Sequence, residues 1–285
     1  MIEGLISQLP VINNSDIRLA FFDIDGTLIG SDGRYSESTK REINRIQACG
    51  IKTAIASGRP KFAAEFLIEE LSINGAGLFS AGALLIDPST NEVIMKKPLE
   101  IDGLKELVKF SRHHQMHCEI YEEDCYWVEH DSDIQLAHSR VLRSMPQTTQ
   151  FDDLLSNEIN PTKLLVGINE VERPGLLETM IGTYPQYNFA LARMASHREW
   201  IFASIINKEI DRKKAFKQLC DYHKVSPEQV IAFGDAPSDL AFLEMAGVGV
   251  AMGNATPEVK SAANFVTLPD GEDGVAHALK VLVPR

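Results

Sequence analysis

The sequence predicts an α/β fold with a parallel sheet, interrupted by an inserted α+β domain. Three observations lead to this prediction. Apolar strand-like runs alternate with amphipathic helical segments from residue 19 to about residue 86, which is typical of right-handed βαβ units. This alternation is lost in the middle of the chain, and it resumes near residue 198. We therefore expect one domain from residues 1–86 and 198–285, with a second domain at 87–197 inserted into it.

The composition is that of an ordinary globular protein and narrows the possible functions. Of the 285 residues, 44% are hydrophobic and 24% are charged. No apolar run approaches the ~20 residues of a membrane helix, and the N-terminus lacks the cationic start of a secretory signal, so we expect a cytoplasmic protein without a membrane partner. The net charge of −12 argues against nucleic acid as a partner, but an anionic small molecule can bind where the site supplies cations. The four cysteines form no CxxC pair and are expected to be reduced.

The first domain begins with two strand–helix pairs. The apolar run Leu19–Phe22 predicts a buried strand of a parallel sheet, preceded by an irregular segment over residues 1–17. A helix is predicted over residues 36–49, with Gly50 as its C-terminal cap. Residues 51–56 predict the second strand, and another helix follows it.

The middle of the chain has a mixed order of helices and strands. Its predicted elements are a helix at 99–114, strands at 118–121 and 125–129, a helix at 131–143, a strand at 163–168, a helix at 172–181, and strands at 189–193 and 199–203. The first pattern then returns with a helix at 211–223, a strand at 230–234, short strands at 248–252 and 265–267, and a final helix from residue 273.

Two aspartates directly follow the first predicted strand. Asp23 and Asp25 are separated by one residue and are followed by Gly26 and Thr27. In open α/β sheets, ligands bind at the carboxyl ends of the strands, which is where these acids are expected. Two carboxylates this close repel each other unless a cation neutralises them, so the spacing predicts a bound metal or an acid/base pair. Taken alone, the same residues are explained equally well by an Asp-Gly turn after a strand.

Four groups of polar residues stand at strand ends or helix starts of the first domain. They are Asp23 and Asp25, Ser57, the basic run Arg212 to Lys214, and the pair Asp235 and Asp239. On a doubly wound sheet, all four groups can meet along one edge. Several carboxylates around one point make a hard-oxygen site, for which Mg²⁺ is the expected occupant. A serine hydroxyl near a helix start and a nearby cation complete a site suited to phosphoryl transfer.

These residues resemble the motifs of a known family. Residues 23–27 match the DxDGT signature of the haloacid dehalogenase-like phosphatases, residues 57–59 resemble the second motif, and residues 234–239 resemble the fourth, usually GDxxND. Residues 251–255 are similar to the segment that follows in the Cof-type branch. The first two motifs are too close for a cap between them, whereas the second and third leave room for the large α/β cap of Cof-type enzymes. The resemblance implies a Rossmann-like catalytic core and a substrate-specificity cap at 87–197.

The resemblance also implies a role for each acid. Asp23 would be the nucleophile that attacks phosphorus, and Asp25 would protonate the leaving oxygen and later activate water. Asp235 would hold Mg²⁺ together with the Asp23 carboxylate and the Asp25 backbone carbonyl. Asp239 would coordinate the ion or orient a water bound to it. The expected phosphate-binding residues are Thr27, Ser57, Gly58, Arg212 and Lys213.

Two positions depart from the family pattern. The third motif is usually a lysine followed by glycine, and an ungapped alignment places Arg212 at the lysine and Lys213 at the glycine. The phosphate-binding cation is therefore Arg212, Lys213 or Lys214, with Arg212 favoured. Ser238 replaces the usual asparagine of the fourth motif and has a shorter reach.

Together these observations predict a Mg²⁺-dependent phosphatase that acts on small phosphorylated metabolites through an aspartyl-phosphate. Sugar phosphates are the first expected substrates, followed by nucleotide or cofactor phosphates. Two alternatives stay open, namely a phosphotransferase of the phosphomannomutase type and a non-catalytic sensor of phosphorylated metabolites. The sequence is compatible with both a monomer and a homodimer.

A second candidate cluster of metal-ligating residue types lies in the middle of the chain. His113 and His117 have the i, i+4 spacing of one helical face, and His114 and Cys118 adjoin them. We favour the alternative that these residues form the solvated end of a helix.

Overall fold

The computed structural model describes residues 16–194 and 196–283. The irregular segment predicted over residues 1–17 therefore lies outside the described residues, apart from its last two. No helix of the described part of the chain is long and apolar enough to cross a membrane.

Strands and helices alternate along most of the chain. The strands are β1 (Leu19–Phe22), β2 (Lys52–Ile55), β3 (Gly77–Phe79), β4 (Leu84–Asp87), β5 (Glu92–Lys96), β6 (His117–Tyr121), β7 (Tyr126–Val128), β8 (Gln147–Thr148), β9 (Lys163–Asn169), β10 (Tyr187–Met194), β11 (His197–Asn207), β12 (Val230–Gly234), β13 (Val248–Ala251) and β14 (Phe265–Val266). The helices are α1 (Glu37–Ala48), α2 (Glu65–Glu70), α3 (Ile101–His113), α4 (Asp133–Leu142), α5 (Phe151–Leu154), α6 (Leu176–Thr183), α7 (Arg212–His223), α8 (Leu240–Met245), α9 (Pro257–Ala262) and α10 (Gly274–Leu282).

A parallel five-stranded sheet forms the centre of the first domain, in the order β14-β13-β12-β1-β2. Strand β1 lies between β12 and β2 and is buried along its whole length. Ala20 and Phe22 pack on one side of the sheet, and Leu19 and Phe21 pack on the other. Because both faces of this strand are covered, its apolar run is continuous, as the sequence predicted.

Helices cover both faces of this sheet. On one face, α1 and α10 contribute buried residues to the same cluster as Phe22, and on the other α7 and α8 pack around Phe21. The Ser36 hydroxyl caps α1 by accepting a hydrogen bond from the Thr39 amide at 3.0 Å. Gly50 follows this helix with a φ of +83°, which confirms it as the residue that ends the helix. The predicted α/β fold with a parallel sheet is thus confirmed.

A small antiparallel sheet, β3-β4-β5, was not predicted from the sequence. It adjoins the central sheet through a parallel bridge between Ala56 and Leu78. Ile94 and Met95 of β5 pack against the apolar cluster around Phe21. These strands therefore lie with the first domain, although the sequence rhythm changes near residue 86.

The middle of the chain forms a separate six-stranded sheet in the order β10-β11-β9-β6-β7-β8. Its neighbours are antiparallel except for β7 and β8, and α3 and α6 cover one face. Helix α4 packs on the other face, against Tyr121 and Phe202. Helix α6 begins at Leu176, later than predicted, because Gly175 before it has a φ of +76° and lies outside the helical region.

Two neighbouring connections join this six-stranded sheet to the first domain. Strand β11 runs to Asn207, and the Asn207 side chain donates a hydrogen bond to the Pro98 carbonyl at 3.0 Å. Lys97 forms an ion pair of 2.6 Å with Glu209 in the second connection. We propose domain junctions near residues 97 and 208, and we call residues 98–207 the inserted region.

The inserted region contacts the first domain through its α4 face. Phe62 of the first domain stacks against Tyr121 and Tyr126, with ring centroids 6.4 and 5.8 Å apart. The Arg143 guanidinium, just after α4, lies 3.7 Å from the centroid of the Phe66 ring. These contacts hold one face of the inserted sheet against the segment that follows β2.

Candidate active site

Three aspartates meet at the carboxyl ends of β1 and β12. Asp23 directly follows β1, Asp235 directly follows β12, and Asp239 ends the short turn before α8. One carboxylate oxygen from each lies within 4.8 Å of the other two. Across residues 16–194 and 196–283, this is the only group of three or more His, Cys, Asp or Glu side chains close enough to share a metal ion. The sequence expectation that acids from the two ends of the chain meet is therefore met by these three.

The histidines near residue 114 do not form such a group in the described chain. His113 and His114 contact each other edge-to-face at the end of α3. His117 is instead part of the inserted sheet, and its Nε2 lies 2.8 Å from a Glu119 oxygen. The interpretation of these residues as the end of a helix thus holds for His113 and His114, while His117 belongs to β6.

The acid cluster is electrostatically costly unless a cation is present. Burial raises the pKa of Asp23 well above its usual value, and the neighbouring charges of Asp239, Asp25 and Asp235 raise it further. Burial, reinforced by Asp239, raises the pKa of Asp235 to about 7. Burial also raises the pKa of Asp239, although Arg212 opposes this shift. A divalent cation among these oxygens would favour their ionised forms.

Backbone and side-chain donors fix two of the three acids. One oxygen of Asp239 accepts hydrogen bonds from the Asp235 and Ala236 amides, at 3.1 and 3.0 Å. The Thr27 hydroxyl donates to Asp235 at 3.4 Å, so the structure places Thr27 in support of this acid. Gly26 has a φ of +83°, and a Cβ there would lie 2.5 Å from an Asp235 oxygen. Only glycine leaves room for Asp235 at this turn.

Asp25 lies beside this cluster, and an arginine holds its carboxylate. The Arg59 guanidinium donates to both Asp25 oxygens, from Nε at 2.8 Å and from Nη2 at 2.6 Å. Its Nη1 donates to the Val141 carbonyl of α4 at 2.8 Å. Asp25 is 56% exposed, whereas Arg59 is buried, so the carboxylate faces open space from a fixed position. The expected contact between the Asp25 backbone carbonyl and a metal stays a prediction.

The second motif lies at the end of β2, at the same edge of the sheet. Ser57 is buried, its amide donates to the Leu78 carbonyl at 2.9 Å, and its hydroxyl accepts from the Arg59 amide at 3.3 Å. Gly58 is exposed. The predicted helix after Pro60 is present as a 3₁₀ turn over Lys61–Ala64 followed by α2. Ser57 and Gly58 thus lie where phosphate-binding residues were expected.

Of the three candidate cations of the third motif, only Arg212 reaches the acid cluster. Its guanidinium lies 3.7 Å from an Asp239 oxygen and donates to the Ser238 carbonyl. Lys213 is 60% exposed and pairs with Glu244 at 3.0 Å. Lys214 lines a cavity of about 320 Å³ between Met95 and α7. The turn of α7 therefore directs these side chains to three different places.

This arrangement gives a test of the third motif. Arg212→Met is expected to lower kcat/KM by about 10²- to 10³-fold, since it removes a fixed charge from the reaction centre. Lys213→Met serves as the matched variant and is expected to stay within about threefold of the wild type, because its partner Glu244 is on the surface. Steady-state phosphate release measures both. A larger loss for Lys213→Met than for Arg212→Met would contradict the assignment.

The raised pKa values predict how stability depends on pH when metal is absent. In the unfolded chain the pKa of Asp235 returns to about 4, and in the folded chain it is about 7, so the folded protein binds more protons between these values. With excess chelator, the free energy of unfolding is therefore expected to fall as the pH rises from about 4 to 7. Denaturant unfolding of the wild type and of Asp235→Asn measures this. In Asp235→Asn the free energy of unfolding should change less steeply with pH, by the equivalent of up to about one bound proton. Identical slopes for the wild type and the variant would contradict the raised pKa of Asp235.

Two residues of the site received no role from the sequence. Arg59 stands inside the second motif, but nothing in the sequence indicates that its side chain pairs with Asp25. Asn254 donates to the Gly26 carbonyl at 2.8 Å and lies 3.4 Å from an Asp235 oxygen. Asn254 could have been recognised from the sequence, because it belongs to residues 251–255, the segment similar to that of Cof-type enzymes. This segment lies at the end of β13, at the same edge of the sheet.

A parallel sheet with a cluster of acids at its carboxyl edge is suited to metal-assisted chemistry on an anion, and comparison with known proteins gives the class and the family. The haloacid dehalogenase-like hydrolase family matches residues 20–279. The chain belongs to this family and is a Cof-type phosphatase within it.

Known relatives match nearly the whole chain. The Bacillus subtilis 5-amino-6-(5-phospho-D-ribitylamino)uracil phosphatase YitU is 29% identical, and the match covers 92% of this chain and 96% of that protein. A haloacid dehalogenase-like hydrolase from Bacteroides thetaiotaomicron has a TM-score of 0.82 at 28% identity, covering 93% and 98% of the two chains. A subclass IIB sugar phosphatase has a TM-score of 0.77 at 26% identity, covering 92% and 98%.

Proposed function

We propose that this protein is a Mg²⁺-dependent phosphatase that hydrolyses small phosphorylated metabolites through an aspartyl-phosphate on Asp23. The observation that carries the proposal is the convergence of Asp23, Asp235 and Asp239, whose oxygens lie within 4.8 Å of one another at the carboxyl edge of the sheet. This position is where open α/β sheets bind their ligands. Asp23 also directly follows β1, a strand that is paired on both sides and buried along its whole length.

The donor set fits Mg²⁺. The three acids supply hard oxygen ligands, few enough that the ion would keep waters and a phosphate oxygen. Burial raises the pKa of all three carboxyls, and neighbouring acids raise the pKa of Asp23 and of Asp235 further, so the site favours an ion that brings positive charge. Asp23, Asp235 and Asp239 would hold the ion, with the Asp25 carbonyl as the further ligand implied by the family. Bound Mg²⁺ would supply charge neutralisation for the phosphoryl group.

Two carboxylates carry out the chemistry. An Asp23 oxygen forms a bond to phosphorus while the bond from phosphorus to the ester oxygen breaks, and the ester oxygen takes the proton of Asp25. Asp25 then takes a proton from water, and the hydroxide attacks the same phosphorus and releases phosphate and Asp23. Arg59 donates two hydrogen bonds to the ionised Asp25 carboxylate, which fixes its orientation for the step in which it takes a proton from water.

Ser57 and Arg212 bind the phosphoryl group. The Ser57 hydroxyl lies at the end of β2, next to β1 and Asp23. The Arg212 guanidinium reaches the cluster from the start of α7, and it is 16% exposed. Together these residues provide a neutral donor and a positive charge for oxygens on which negative charge accumulates.

Small phosphate esters with polyhydroxylated leaving groups are the first substrates to test. The relatives support this choice, since one is named as a sugar phosphatase and another as a phosphatase of a phosphorylated ribityl compound. The experiment is a screen of phosphate release from sugar, polyol, nucleotide and cofactor phosphates, with Mg²⁺ and without any acceptor. Release without an acceptor separates hydrolysis from phosphotransfer. The proposal would be contradicted if no phosphate were released from any ester, including esters that the protein is shown to bind.

A further inference from the structure

Lys163 carries an ammonium group that has no ion-pair or hydrogen-bond partner among the residues that the structure describes. It is the first residue of β9 and is 4% exposed. Its Nζ lies 4.1 Å from the centroid of the Tyr121 ring, on the face of that ring. Among the residues that the structure describes, it forms no ion pair and donates no hydrogen bond. An ammonium group has three donors, and a side chain covered to this extent leaves little room for water to accept hydrogen bonds from them.

The nearest buried carboxylate is already occupied by other partners. Glu119 is fully buried on the same face of the inserted sheet, and it accepts hydrogen bonds from the Tyr121 hydroxyl and from two histidines. The His117 Nε2 lies at 2.8 Å and the His138 Nδ1 at 2.9 Å from its oxygens. Glu119 is therefore not in contact with Lys163, although its charge lies close enough to favour the ammonium form.

Lys163 lies at the contact between the inserted region and the first domain. The Lys163 ammonium lies over the ring of Tyr121, and this ring stacks against Phe62 of the first domain. Phe62 follows Arg59 closely in sequence, and Arg59 holds the Asp25 carboxylate. Burial lowers the pKa of Lys163 to about 8; the positive charge of Arg59 lowers it as well, while Glu119 opposes both.

We propose that Lys163 binds a second anionic group, a carboxylate or a phosphate, on the leaving group of the substrate. The inference rests on the proposed function, in which Asp25 protonates the ester oxygen of the leaving group. In this proposal the part of the leaving group beyond the ester oxygen reaches the ammonium, since Lys163 contacts Tyr121, and Tyr121 stacks against Phe62, three residues after the Arg59 that holds Asp25. An anion there supplies the acceptor that the described chain lacks, and a neutral leaving group does not.

The test uses pairs of esters that differ mainly in one charge. Glycerol phosphate and phosphoglycerate differ by a carboxylate, and fructose monophosphate and fructose bisphosphate differ by a phosphate. We expect the wild type to prefer the more anionic member of at least one pair by about tenfold or more in kcat/KM. The pair that shows the preference identifies the anion as a carboxylate or a phosphate.

Substitutions then assign the preference to Lys163. Lys163→Met is expected to remove it, and Lys163→Arg is expected to keep part of it, since the charge is retained. The control is Lys109→Met, which changes an exposed lysine of α3 on the opposite face of the inserted sheet and should keep the full preference. Equal losses for both members of each pair in Lys163→Met would overturn the inference, and so would a wild type without preference in either pair.

Direct binding separates this inference from the proposed function. Titration calorimetry in the Asp23→Asn background, with Mg²⁺, measures the Kd of each ester without turnover. If the more anionic esters bind in a Lys163-dependent way but the wild type hydrolyses none of them, the proposed function fails and the binding site stands. If the wild type hydrolyses the esters and Lys163→Met changes neither Kd nor preference, the binding site fails and the phosphatase stands.

Discussion

Asp23→Asn is expected to lower kcat for phosphate release by roughly 10⁴-fold or more. Asparagine has nearly the same shape, but its amide oxygen is a much weaker nucleophile than a carboxylate, so the bond to phosphorus does not form. Phosphate release from p-nitrophenyl phosphate and from the best ester of the screen, both with Mg²⁺, measures the effect. A variant with retained turnover would show that Asp23 is not the nucleophile.

The same substitution should raise the stability of the metal-free protein, although it lowers the activity. Burial and three nearby acids raise the pKa of Asp23, so its ionised form destabilises the metal-free fold at neutral pH. Asp23→Asn removes this charge, and with chelator present its free energy of unfolding is expected to exceed that of the wild type at pH 8. The matched control is Asp102→Asn, a fully exposed aspartate of α3, which should alter neither activity nor stability appreciably. Lower activity together with lower stability would indicate a folding defect.

Removal of the metal is expected to have the second largest effect. With excess chelator, kcat/KM should fall by about 10³-fold or more, because Asp23 and the phosphoryl group then meet as two anions without a cation between them. Added Mg²⁺ should restore activity. Ca²⁺ should restore less, because it requires more oxygen ligands than three acids and a carbonyl supply. Activity that resists excess chelator would contradict a metal-dependent site.

Metal binding can also be followed without turnover. Mg²⁺ should raise the Tm of the wild type, since it binds the folded state and relieves repulsion among the three acids. Asp235→Asn removes one of these acids and should reduce the shift in Tm. An equal shift in the variant would place the ion elsewhere.

The central sheet could be predicted because each signal was local. Strand β1 is buried on both faces, and its sequence is accordingly an uninterrupted apolar run. The sheet β3-β4-β5 was missed because its strands have only 3, 4 and 5 residues, which is too short for a clear alternation of apolar and polar side chains. Helix α6 was predicted to start too early, because the turn at Gly175 is set by its backbone conformation and not by the apolar pattern around it.

The acids of the site could also be predicted, because each stands directly at a strand end or a helix start. The partners of these acids could not. Arg59 and Asp25 are separated by a strand and a helix, and only the fold brings the guanidinium onto the carboxylate. Lys163 was predicted within a strand, without a function, because its significance depends on what lies around it in space. Basic residues near residue 212 were recognised, but the geometry of α7 was needed to tell Arg212 from Lys213.

The two neighbouring connections of the inserted region have a consequence for how such proteins diversify. Pro98 and Asn207 are hydrogen-bonded, so a long stretch of chain leaves and re-enters the first domain at nearly the same point. Because the two ends of the insertion lie so close together, its length adds little to the entropy cost of closing the chain in the first domain. The inserted sheet can therefore change in evolution while Asp23, Asp235 and Asp239, which all lie in the first domain, keep their positions.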